Sequence, residues 1–121
     1  MYFSALRVHY DDTLSLIYSR LDSETLASAI TVLDLCLSIV EQDLSSETPY
    51  ILVGGTPVEV KQVLMQYKKL TPSILYIVIS KTVELYPKIK NPEAYIRRVL
   101  CSASEQHTSE AYFFERSSYG H

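Results

Sequence analysis

The stretch from Asp22 to Leu44, DSETLASAITVLDLCLSIVEQDL, decides the fold class. Leu26, Ile30, Leu33, Leu37, Val40 and Leu44 recur at spacings of 4, 3, 4, 3 and 4, the period at which side chains return to one face of an α-helix. Asp22 and Ser23 are both good N-caps, because their side-chain oxygens can accept from an amide one turn on. The segment predicts a long core helix from about residue 23 to 44, with Glu41 and Asp43 off the apolar stripe. The same spacing would serve a coiled-coil seam, so a homodimer through Leu26–Leu44 is a second expectation.

Toward the N-terminus, Leu14, Ile17, Tyr18 and Leu21 follow one helical face. They predict a short first helix capped by Asp11 or Asp12 and ending near Leu21. Toward the C-terminus, Tyr50-Ile51-Leu52-Val53 is a β-type run. Gly54-Gly55 after it suits the positive φ angles of a tight turn, so a short β-hairpin or extended loop is expected near residues 50–58. Thr56-Pro57-Val58-Glu59 carries the marks of a helix start: a Thr cap, a proline at the first helical position and a Glu to return the cap's hydrogen bond. Val60, Val63, Leu64 and Tyr67 would line the face of that helix. Thr71-Pro72 repeats the start signal. The helix that follows, to about Tyr86, is apolar on most sides (Ile74, Leu75, Tyr76, Ile77, Val78, Ile79, Val83) and so belongs in the middle of a bundle, with Pro87 stopping it. Asn91-Pro92 opens a last helix that buries Tyr95, Ile96, Val99, Leu100 and Ala103, and the pattern fades beyond Ser104.

The expected fold is therefore mainly α: a small bundle of about five helices with a short β element. It is one domain over residues 1–121, with an ordered core over about 10–104 and a less regular tail over 105–121. An apolar fraction of 47% with 21% charged residues is ordinary for a globular fold. Unbroken apolar runs such as Ile74–Ile79 are far shorter than a membrane span, and no signal-peptide pattern precedes Arg7. A cytoplasmic protein without membrane contact is expected. Cys36 and Cys101 read as buried free thiols, a disulfide between them being possible but not required.

No phosphate cradle, zincin helix or nucleophile elbow occurs. His9 near Asp11 lacks a third ligand and reads as a half-buried or exposed histidine, and His107 and His121 fall in the tail. No enzyme activity, no metal and no cofactor are expected. Charge is the more informative feature. The net charge of −3 divides into −7 over residues 1–59 (nine acidic residues against Arg7 and Arg20) and +6 over 60–98 (eight basic against Glu84 and Glu93). The last 23 residues, 99–121, add −2 (three glutamates against Arg116). Lys88 and Lys90 lead into the helix start at Asn91, where free amides and the helix dipole can hold a phosphate. Arg97 and Arg98 follow within two turns, and Lys68 and Lys69 lie at another helix end. Such cations suit sequence-independent phosphate contact, and equally a solvated face. Ten tyrosines include Tyr67, Tyr76 and Tyr95 at core-facing positions and Tyr86, Tyr112 and Tyr119 that could stack on unpaired bases.

Ile89-Lys90-Asn91-Pro92-Glu93-Ala94-Tyr95-Ile96-Arg97-Arg98-Val99-Leu100-Cys101-Ser102-Ala103 resembles the last helix of the C-terminal domain of replication initiators from plasmids and mobile elements of Gram-positive bacteria, which reads roughly I-[KR]-N-x-x-A-Y-[IL]-x-x-x-L-x-x-A. The upstream order matches as well: a long apolar helix (Leu26–Leu44), a β run ending in Gly-Gly (Tyr50–Gly55), a helix closing on Lys-Leu (Val58–Leu70) and an apolar helix (Ile74–Val83). The resemblance spans about Tyr10 to Ala103 through short motifs. The final helix also looks like that of the DnaD family, with Tyr95 and Val99 in place and Ala103 where that family has tryptophan. In initiators this domain follows a winged-helix domain, so the resemblance implies a fragment or a stand-alone relative. It implies further a replication-associated accessory domain that binds DNA without reading sequence and recruits a helicase loader or another replication protein. DNA contact would fall on Lys68, Lys69, Lys88, Lys90, Asn91, Tyr95, Arg97 and Arg98. A protein-interaction or dimerisation module without DNA binding is the alternative.

Overall fold

A computed structural model describes the backbone of residues 2–119 and the side chains of residues 9–116. The described residues form five helices and one hairpin: α1 (Tyr2–Arg20), α2 (Ser23–Leu44), β1 (Tyr50–Val53), β2 (Thr56–Glu59), α3 (Val60–Lys68), α4 (Pro72–Thr82), a 3-10 turn (Tyr86–Lys88) and α5 (Pro92–Tyr119). This is the mainly helical bundle with a short β-hairpin that the sequence predicts.

Three helix starts form as their sequences dictate. Asp22 caps α2 by accepting from the Thr25 amide at 3.1 Å, Thr71 caps α4 by accepting from Ile74 at 3.2 Å, and Asn91 caps α5 by accepting from Ala94 at 3.2 Å. The α2 stripe turns inward, with its buried centre on Ala29, Val32, Leu33, Cys36, Ile39, Val40 and Asp43. Leu26, Ile30, Leu37 and Leu44 flank that centre, half-buried. In length and apolar composition α2 also meets the requirements of a membrane span, which the short unbroken runs do not reveal; its buried face accounts for that composition as a core helix. With Leu33 and Val40 buried in the bundle, the stripe is not available as a dimer seam. Helix α4 is the hub, buried through Ile74, Leu75, Ile77, Val78 and Ile79 and packed chiefly against α5 and α1. It ends at Thr82, four residues before Tyr86, and Pro87 lies within the 3-10 turn.

Three expectations are corrected. First, α1 begins at Tyr2, well before the caps proposed at Asp11 and Asp12, which lie inside it. Second, Thr56-Pro57-Val58-Glu59 is strand β2, and α3 starts after it at Val60. Gly54 and Gly55 at φ 59° and 83° close a two-residue hairpin turn that pairs Val53 with Thr56. The Val60 amide donates to the Pro49 carbonyl at 3.0 Å. The hydrogen-bonded rungs are therefore 49–60, 51–58 and 53–56, and the 52–57 rung is not hydrogen-bonded. The Pro57 nitrogen thus points out of the ladder, the position at which a strand tolerates proline. Third, α5 continues to Tyr119 rather than fading after Ser104. His107 and Ala111 are buried, Phe114 stacks on Tyr76 with ring centroids 5.4 Å apart, and the Arg20 guanidinium sits 4.2 Å from the Phe114 ring centre. Lys81 donates to Glu110 at 3.1 Å, and Glu110 also lies 2.9 Å from His107 Nδ1. The second half of α5 is thus clamped to α4, and nothing is less regular about the described part of the tail.

Candidate functional site

The predicted cations divide into three groups. Arg97 belongs to the interior. Its Nε and Nη2 donate to Asp43 Oδ2 and Oδ1, each at 3.0 Å, in a bidentate pair that joins α5 to α2. Tyr67 of α3 donates its hydroxyl to the same Oδ2 at 2.5 Å. The Asp43 and Arg97 side chains are only 5% and 16% exposed, so this carboxylate is a buried anion held by one cation and one hydroxyl. Burial, and then the hydrogen bond to Asp43, push the Tyr67 hydroxyl pKa far above its usual value, so it remains a donor. Arg97 is already neutralised by an acidic side chain from the first half of the chain and is not offered to a ligand.

Lys88, Lys90, Asn91, Tyr95 and Arg98 form the second group, at the start of α5. Lys88, Lys90 and Arg98 are exposed and make no salt bridge among the described residues. The Arg98 guanidinium lies 5.5 Å from the centre of the half-buried Tyr95 ring, and its Cδ would meet a Cβ placed on Gly54 at 3.1 Å. Arg98 therefore crosses from α5 onto the hairpin turn. Asn91 is spent on capping: its side chain accepts from Ala94 and its carbonyl accepts from Tyr95 at 3.1 Å, and Pro92 has no N–H, which leaves the Glu93 amide as the one first-turn donor of α5 without a partner among the described residues.

Lys68 and Lys69 form the third group, at the end of α3. Gln66, on the preceding turn, accepts from Ser104 at 3.3 Å. From Pro92 to Ser104 is about 18 Å of helix, so these two lysines are not brought onto the Lys88–Lys90 cluster. Of the candidate stacking tyrosines, Tyr112 is exposed and Tyr86 half-buried, while the Tyr119 side chain lies outside the described residues.

A feature that the charge pattern did not signal adjoins the second group. Val53 and Val58 of the hairpin, Val63 and Met65 of α3, and Cys101 of α5 line an open groove of about 410 Å³, with Gln62 and Gln66 at its polar side. Met65 is 57% exposed. The i, i+2 alternation in the hairpin and the i, i+2, i+3 positions of α3 contain the groove, but its depth depends on how closely α5 approaches. Cys101 and Cys36 are both free thiols. Burial raises the pKa of each, so neither is an activated nucleophile. Among the described residues no group of three or more His, Cys, Asp or Glu side chains could hold a metal ion.

Comparison with known proteins finds no family, no characterised protein and no solved structure that matches this chain.

Proposed function

We propose that this chain acts by binding, as an accessory domain of a replication-initiation assembly, and that its contact with DNA is confined to the start of α5. The observation that carries this reading is the second cation group: Lys88, Lys90 and Arg98, without an acidic partner among the described residues, around the N-terminus of a 28-residue helix whose Glu93 amide is free. Phosphate oxygens match both donor types, and backbone-phosphate contact needs no base readout. Arg97 drops out of the interface, and Lys68 and Lys69 contribute at most at its margin. Fluorescence anisotropy with a labelled duplex of arbitrary sequence tests it. Lys88→Ala and Lys90→Ala weaken binding while Lys69→Ala does not. Equal effects at all three positions would leave only a diffuse basic field.

The groove favours a second reading for the same domain, recruitment of a protein partner. Its apolar lining and exposed Met65 suit an apolar side chain of that partner. Met65→Glu abolishing capture of a replication protein, with DNA affinity unchanged, would assign the two activities to separate surfaces. Neither reading calls for catalysis or a cofactor.

A further inference from the structure

We infer that two copies of this chain associate through the outer edge of β1, joining their hairpins into one four-stranded antiparallel sheet. The hydrogen-bonded rungs at 49–60, 51–58 and 53–56 leave the backbone groups of Tyr50 and Leu52 pointing away from β2. The Tyr50 carbonyl accepts from Thr48 Oγ1 at 3.0 Å and keeps a second lone pair. The outward N–H and C=O of Leu52 have no partner among the described residues. The other edge of the hairpin is closed to pairing: Pro57 has no N–H to give there, and the chain turns at once into α3. The hairpin therefore has one open edge.

The side chains on that edge are apolar where an exposed edge strand would ordinarily be charged. Leu52 is 63% exposed and Tyr50 55%, on the face turned away from α3 and α5. A two-fold axis through Ile51 sets Tyr50 opposite Leu52 of the second copy, and Leu52 opposite its Tyr50. Both pairs fall on hydrogen-bonded rungs, so the outward backbone groups of the two edges satisfy one another. The four side chains then form one covered apolar patch. Charge agrees with this direction. In an antiparallel pair the tip of one hairpin meets the base of the other. Arg98 lies against the tip at Gly54, and the exposed Glu47 lies on the segment entering the base at Tyr50. A parallel arrangement would set Arg98 against Arg98. The edge is thus complementary to itself in hydrogen bonding, side chains and charge, and the occupant is a second copy rather than an unrelated peptide. Four-residue strands make a small interface, so the dimer is weak, with a dissociation constant on the order of 10–100 µM.

Sedimentation velocity of the full chain over a concentration series tests this, with amide hydrogen exchange as a second readout. A monomer–dimer equilibrium is expected, with exchange at Leu52 slowing as concentration rises. Leu52→Pro removes the outward N–H at a position where, as at Pro57, the ladder loses no bond. Leu52→Lys keeps the N–H but places a charge on the patch, and tests the same point if the proline variant unfolds. Both are expected to be monomeric with an unchanged far-UV circular dichroism spectrum. Glu47→Arg and Arg98→Glu are each expected to weaken the dimer about three- to fivefold, and together to restore it. A chain that stays monomeric to about 1 mM, or a dimer that survives both Leu52 substitutions, overturns the proposal. So does an edge that binds a synthetic strand peptide but not its own copy.

Discussion

Asp43 gathers three helices onto one carboxylate. Arg97 and Tyr67 come to it from α5 and α3, and its own backbone lies in the last turn of α2. A buried ion pair contributes little net stability against a well-packed apolar replacement, but losing one partner strands the other charge. Arg97→Ala is therefore expected to cost about 3–5 kcal/mol in urea unfolding. Adding Asp43→Ala to it should recover part of that loss, a non-additivity that a DNA-contacting arginine would not show. The pairing joins residues 54 positions apart, and no local pattern reports such a distance. Asp43 read as a residue off the apolar stripe and Arg97 as half of an Arg-Arg surface pair. The only available hint was an acidic side chain in the last turn of a core helix, beside the buried flank at Ile39 and Val40.

Cys36 supplies a pH dependence at the same scale. Complete burial on α2 pushes its thiol up to about 12 from an ordinary 9.0. Since the folded pKa is the raised one, its contribution is fully present below pH 9. Above pH 9 the unfolded chain loses the proton first, and stability falls as pH rises toward 12, by about 1.4 kcal/mol per pH unit at steepest. Tyr67, also raised, begins to act in the same direction above pH 10. Urea midpoints measured from pH 7 to 11 should decline from about pH 9 on; because burial raises the Cys101 thiol as well, Cys36→Ala should make the first part of the decline shallower, and adding Cys101→Ala should remove it.

At the scale of elements, local chemistry was legible where one signal had one meaning. Asp22, Thr71 and Asn91 cap the helices they were expected to cap, and Gly54-Gly55 forms the turn its freedom at positive φ allows. Thr56-Pro57 failed because a proline with its nitrogen unpaired is equally at home at a helix start and on the outer side of a hairpin; the pairing of 49 with 60 decides between them. The second half of α5 was missed for another reason. His107, Ala111 and Phe114 continue the face of Leu100 and Ala103 at spacings of 4, 4 and 3, but histidine and alanine are weak apolar signals. Their burial comes from α4, whose Tyr76 stacks on Phe114. Truncation after Ser104 is accordingly expected to lower the melting temperature strongly. Phe114→Ala alone, which removes both the Tyr76 stack and the Arg20 cation from the ring, should cost about 1–2 kcal/mol. A truncated chain that melts like the full one would contradict the clamp.

For the whole molecule, the acidic first half meets the basic middle at a buried pair, Asp43 with Arg97, and the acidic last segment meets it at Glu110 with Lys81. The fold leaves an exposed basic group at one end of α5. What the charge profile could not show was which cations would be consumed inside the bundle, since that depends on helix packing rather than on composition. The α2 stripe illustrates the same point: it marked a helix correctly, yet a charge placed at Leu33 would unfold the bundle rather than part a dimer, because Leu33 is buried.

The salt dependence of DNA binding tests the central claim most directly. For the wild-type chain, the logarithm of affinity for a duplex should fall linearly with the logarithm of salt concentration. In the Lys88→Ala, Lys90→Ala, Arg98→Ala triple variant the slope should drop by about 3, one for each phosphate that the variant no longer neutralises. No affinity at low ionic strength, or the same slope in both proteins, would contradict the assignment of DNA contact to the start of α5.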